Sequence, residues 1–61
     1  MAEQGPREIY FEHITIGNAV KVTAIDSATA LEVSIVGPSS ASQADLERLA
    51  LQKLKLRLAR E

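Results

Sequence analysis

The sequence predicts an α+β fold: a three-stranded antiparallel meander in the order 1-2-3, with one C-terminal helix packed on one face (βββα). Three observations carry this. Runs rich in β-branched and aromatic residues occur at 8–16, 19–25 and 31–36. Short polar turns separate them. After Gly37-Pro38 the residues from Leu46 onward are strong helix formers without Gly or Pro.

Residues 1–7 are polar, contain Gly5-Pro6, and are expected to be a flexible lead-in to a single small domain over residues 8–61. The first strand, "EIYFEHITI" (8–16), leads through Gly17-Asn18 into "AVKVTAI" (19–25). Gly at the first central position of a two-residue connection is a type II′ hairpin signature. It sets Ile16 opposite Ala19, then Thr15–Val20, His13–Val22, Phe11–Ala24 and Ile9–Asp26. In the second turn, "DSATA" (26–30), Asp26 and Thr29 can bond local backbone groups.

Two registers are open to the third strand, "LEVSIV" (31–36), and a one-residue slip would send every side chain to the other face. Pairing Asp26 with Leu31 gathers Ile9, Phe11, Val20, Val22, Ala24, Leu31, Val33 and Ile35 on one face, so that register is expected. It leaves Ala30 in the left-handed conformation, a small cost that glycine would avoid.

The helix can be capped by Ser40 with Gln43 or by Ser42 with Asp45, and both remain open. Its stripe of Leu46, Ala50, Leu51, Leu54 and Leu58 suits the sheet. Glu47 falls inside that stripe, tolerable because it lies near the helix start.

A chain of 61 residues forms one domain at most and buries only about 60% of the surface its unfolded form exposes. Folds of this size commonly need a disulfide, a metal or a partner subunit. The absence of cysteine removes disulfides and thiolate metal sites, and one histidine cannot by itself hold a transition metal. No metal or other cofactor is therefore expected, and oligomerisation is the help still available. A formal charge of −1 argues against wholesale attraction to nucleic acid or anionic lipid. The N-terminus has no signal-peptide pattern, and no run approaches the ~20 apolar residues of a membrane span. A soluble cytoplasmic protein is the expectation.

The strand, loop and helix at residues 32–50, "EVSIVGPSSASQADLERLA", have the order of a phosphate site but not its chemistry. A phosphate loop aims several backbone N–H groups and a lysine at one anion. This loop has one glycine, a proline without an N–H, and no lysine in the following turn. It reads as a connector whose serines cap the helix.

His13 is the one side chain whose unperturbed titration falls near neutral pH, and it sits on the helix-facing side without a placed partner, since Glu12 points to the opposite face. Ser39, Ser40 and Ser42 have no convergent base. No carboxylate pair is set for acid–base work, so no catalytic residue is assigned and the chain reads as a non-enzyme. Nucleic-acid readers stack bases on several aromatics or present many basic side chains; one Tyr, one Phe and a lone sheet lysine, Lys21, make a poor match.

Aliphatic surface is in excess. Leu49 and Leu56 lie off the main helical stripe, either buried by a tilted helix or contacting a partner; heptad spacing suits helix-on-helix packing with a second copy. The second sheet face carries Tyr10, Ile14, Ile16 and Ile25 among Glu12, Lys21, Thr23, Glu32, Ser34 and Val36. That face is either an interface or one covered by the N-terminal residues or solvated. The expected function is a protein-interaction module, self-associating or binding another protein, through Tyr10, Ile14, Ile16, Ile25, Leu49 and Leu56. The alternative is a weak nucleic-acid or anionic-surface binder using the basic helix, although Arg48 and Lys55 lie on one side and Lys53, Arg57 and Arg60 on another.

The stretch "GNAVKVTAIDSATALEVSIVGP" (17–38), preceded by "IYFEH", resembles a family of short, mainly alphaproteobacterial proteins carrying a domain of unknown function. The Gly-Asn turn, the "VKVTAID" strand, the "EVSIVGP" strand and the leucine-rich helix share the resemblance. In the family the resemblance points to, the second turn usually ends in glycine, where this chain has Ala30. The resemblance implies no activity and no catalytic residues.

Overall fold

The computed structural model describes residues 8–60; the expected lead-in lies outside them. The elements are β1 (Ile9–Ile16), β2 (Ala19–Asp26), β3 (Glu32–Pro38) and α1 (Gln43–Arg60). The sheet is antiparallel in the order β1-β2-β3.

Both registers are those expected. Ile16 pairs with Ala19 and His13 with Val22, while Ala24 pairs with Val33 and Val22 with Ile35. Gly17 takes φ 61°, as a type II′ turn requires of its first central residue. In the second turn the Asp26 N–H donates to the Leu31 carbonyl at 2.9 Å, and the Ala30 N–H to the Asp26 carbonyl at 2.8 Å. Ala30 is held at φ 63°. The Asp26 carboxylate accepts from the Thr29 hydroxyl at 2.7 Å and the Thr29 N–H at 3.2 Å, and the Thr29 hydroxyl in turn accepts the Leu31 N–H at 3.1 Å. This small network closes the loop around a left-handed residue with no glycine in it.

The third strand runs two residues past the sequence expectation, through Gly37 and Pro38, which pair with Val20 and Ala19. Gly-Pro reads as a break, yet proline is tolerated on an edge strand where its nitrogen faces away from the ladder. Alternation from Leu31, whose carbonyl faces β2, turns Pro38 outward. Gly37 is needed here for a different reason: a Cβ would lie 2.5 Å from Leu46 Cδ2. The absent side chain lets the helix start close onto the sheet.

Ser42 is the helix cap, its hydroxyl accepting the Asp45 N–H at 3.0 Å, and the Asp45 carboxylate accepts from Arg48 at 2.8 Å. The helix lies over β2 and β3. Val22, Ala24, Val33, Leu46, Ala50 and Leu54 form the buried core, with Ile9, Phe11, Val20, Leu31, Ile35, Ala41 and Leu58 packed around it. Glu47, expected as a blemish in the stripe, has a specific neighbour. Its Oε2 lies 3.0 Å from His13 Nε2 on β1, in contact but not aligned as a hydrogen bond. The contact ties the helix toward the strand it covers least.

Candidate interaction surfaces

One helix covers one face of a sheet, so alternation along each strand decides what stays uncovered. On the outer face the rows across the sheet are Tyr10–Ile25–Glu32, Glu12–Thr23–Ser34, Ile14–Lys21–Val36 and Ile16–Ala19–Pro38. The third and fourth rows hold the aliphatic patch. Ile14 is 49% exposed, Ile16 59% and Val36 67%, with Tyr10 at 52% in the first row. The patch lies toward the Gly17-Asn18 turn.

Ile25 differs from its expected companions in being only half-buried rather than open. It sits on the central strand between Tyr10 and Glu32, and a central residue has a neighbour on each side. Thr23, in the same strand, is buried, and its hydroxyl is 2.8 Å from that of Ser34. Val36 is the residue whose weight the sequence reading missed. Its place on the outer face followed from the register, but its exposure depends on an edge position with Lys21 as its one cross-strand neighbour.

At the Tyr10 end, the phenol donates to the Glu8 carboxylate. That hydrogen bond and the negative charge of Glu8 hold the phenol above the ordinary tyrosine value. Glu8, Glu12 and Glu32 are all exposed. With Lys21 they give the outer sheet face an acidic excess among the described residues.

The second uncovered surface is the outer side of the helix. Leu49 is 52% exposed and Leu56 64%, so the helix does not tilt to bury them. Asp45, Arg48, Leu49, Leu51, Gln52 and Lys55 line an open furrow there, built from the helix alone. It is a gap between side chains on a convex surface, not a pocket that encloses a small molecule. The basic side chains around it are exposed; Lys53 also donates to the Ser34 carbonyl at 2.8 Å, at the outer edge of β3.

His13 meets Glu47 but no nucleophile, and Ser42 is committed to the helix cap. No group of three or more His, Cys, Asp or Glu side chains among the described residues is placed to hold a metal ion. No helix among them is long and apolar enough to cross a membrane.

The family model described as "Domain of unknown function (DUF6898)" matches residues 6–61. The chain belongs to that family. No curated protein and no solved structure matches it.

Proposed function

Starting from membership of a family whose description assigns no activity, we propose that this chain is a non-enzymatic protein-interaction module that self-associates through its uncovered aliphatic surfaces. The observation that carries the reading is the exposure of Ile14, Ile16 and Val36 within two adjacent rows of the outer sheet face, with Lys21 standing between Ile14 and Val36. Contiguous apolar area of this kind marks interaction sites more often than scattered single side chains do. Burying a half-exposed aliphatic side chain yields about 1 kcal/mol. A few of them must offset the several kcal/mol lost as two bodies become one, so the association is weak and concentration-dependent.

A cytoplasmic setting, supported by the cysteine-free composition, and an alphaproteobacterial distribution, supported by the family resemblance, belong to the same reading. The competing reading is a weak binder of nucleic acid or anionic surfaces through the basic helix. It is favoured by the exposure of Lys55 and Arg60, and weakened by the engagement of Arg48 with Asp45 and of Lys53 with Ser34.

Sedimentation velocity over a concentration series, beside a mobility shift on mixed DNA and RNA at moderate salt, separates the two readings. The expected result is a mass that rises with protein concentration and no retained shift. A strict monomer at the highest concentration, or a shift that survives salt, contradicts the reading.

A further inference from the structure

We infer that the copies associate head to tail, the Leu49/Leu56 side of one helix docking on the outer sheet face of the next molecule. This rests on the self-association proposed above and names its geometry. Charge selects among the pairings that two uncovered surfaces allow. At about 100° per residue, Leu49 and Leu56 fall between two flanks of net positive charge: Arg48, paired with Asp45, and Lys55 on one side, and Lys53, whose bond to the Ser34 carbonyl leaves its charge uncompensated, with Arg60 on the other. In a helix-on-helix pair seamed by these leucines, Asp45 can meet Arg60 of an antiparallel partner, but the other bases of the flanks meet like charge in either orientation, which works against the packing that heptad spacing suggests. Sheet on sheet sets Glu8, Glu12 and Glu32 of one copy against the same three of the other, with Lys21 as the one opposing charge among the described residues on that face of each. Helix on sheet alone brings the basic flanks onto the acidic face.

The dimensions agree. Eighteen helical residues span about 27 Å and eight strand residues about 26 Å, so one element lies along the other without overhang. Leu49 and Leu56 then meet Ile14, Ile16 and Val36. Each sheet acquires a helix on both faces, its own inside and a neighbour's outside, which is a stable layering for a sheet with apolar residues on both sides. The contact joins two different surfaces, so it does not close at two copies. It propagates from copy to copy, as an open chain with a bare sheet at one end and a bare helix at the other unless the rotation between neighbours closes a larger ring.

Mixing two blocked variants tests this arrangement. Ile14→Thr with Val36→Thr removes two of the three aliphatic side chains of the sheet patch while keeping β-branched residues; Leu49→Gln with Leu56→Gln removes the ridge with a good helix former. All four positions are about half exposed or more, and far-ultraviolet circular dichroism with thermal melting of each variant at low concentration checks that both fold. Sedimentation velocity is expected to show the natural chain growing beyond a dimer, each double variant alone as a monomer, and their equimolar mixture as a species of twice the monomer mass that grows no further. The mixed pair is expected to weaken as salt is raised. If only the sheet variant loses association and mixing restores nothing, the pairing is sheet on sheet and the head-to-tail arrangement is wrong. If only the helix variant loses it, helix on helix replaces it. Retained association in both variants also overturns the arrangement. A natural chain that stays monomeric overturns the self-association beneath it as well.

Discussion

The two faces of the sheet are built from the same three strands and carry comparable aliphatic content, yet they end in opposite states. On the inner face Val22 and Ala24 are wholly buried and Val33 nearly so. On the outer face Ile14, Ile16 and Val36 are half exposed or more. Nothing in the side-chain chemistry separates valine at 33 from valine at 36. The difference is the helix, which has one apolar stripe to give and spends it on one side. Composition therefore states how much surface needs cover, and topology states which part receives it within the chain.

Truncation gives the largest contrast. Leu54, fully buried against β2 and β3, is expected to cost about 3 kcal/mol on Leu54→Ala, from lost transfer energy and the cavity left behind. Ile14→Thr and Val36→Thr are expected to stay within about 0.5 kcal/mol of the natural chain in urea unfolding at low concentration. A large cost for the outer pair would erase the distinction between the faces.

Closeness rather than cover is probed by Gly37→Ala. The added methyl must displace the buried Leu46 side chain, so a loss of about 1–2 kcal/mol is expected. A neutral result would show that the helix start does not need its close seat on the inner face.

A smaller and opposite effect is expected at the loop joining β2 and β3. Ala30→Gly removes the strain of a left-handed alanine but loosens the unfolded chain, for a net gain of about 0.5 kcal/mol in thermal or urea unfolding. A loss instead would place the hold on this turn in the Ala30 methyl rather than in the Asp26–Thr29 network.

The smallest effect belongs to the outer face. The Tyr10 phenol is raised by its hydrogen bond to Glu8 and by the charge of that carboxylate. The neutral phenol is thus the form favoured by folding. Its contribution is present below the unfolded tyrosine value and is lost as pH rises through the higher folded value. Ultraviolet titration is expected to show the phenolate forming later than in free tyrosine, and earlier again in Glu8→Gln. Coincident curves for the two proteins would remove the Glu8 contact from the account.

Most of the fold was readable because several constraints pointed one way. The Gly17-Asn18 turn set the first register, and the requirement that Val33 and Ile35 share a face with Val22 and Ala24 set the second. Left-handed Ala30 followed from loop length. The helix cap was not readable, since Ser40 and Ser42 each stand three residues before a side chain able to close a capping box; the choice depends on where the loop leaves Gly37. The Glu47–His13 contact was missed for a similar reason. A neighbour from a distant element depends on how the helix crosses the strands, and no periodicity encodes that angle. Of the candidate surface, Leu49 and Leu56 were found by their departure from the stripe, whereas the weight of Val36 required knowing how little stands beside it on the edge.

The most direct test of the central claim, that outer-face aliphatic side chains act between molecules rather than within one, is the melting temperature of the natural chain and of Ile14→Thr/Val36→Thr across a wide concentration range. Association that requires the folded state makes melting concentration-dependent. The account predicts that the two proteins melt together when dilute, and that the natural chain alone rises as it is concentrated. Melting temperatures that stay flat for both, or that differ already at the lowest concentration, would contradict it.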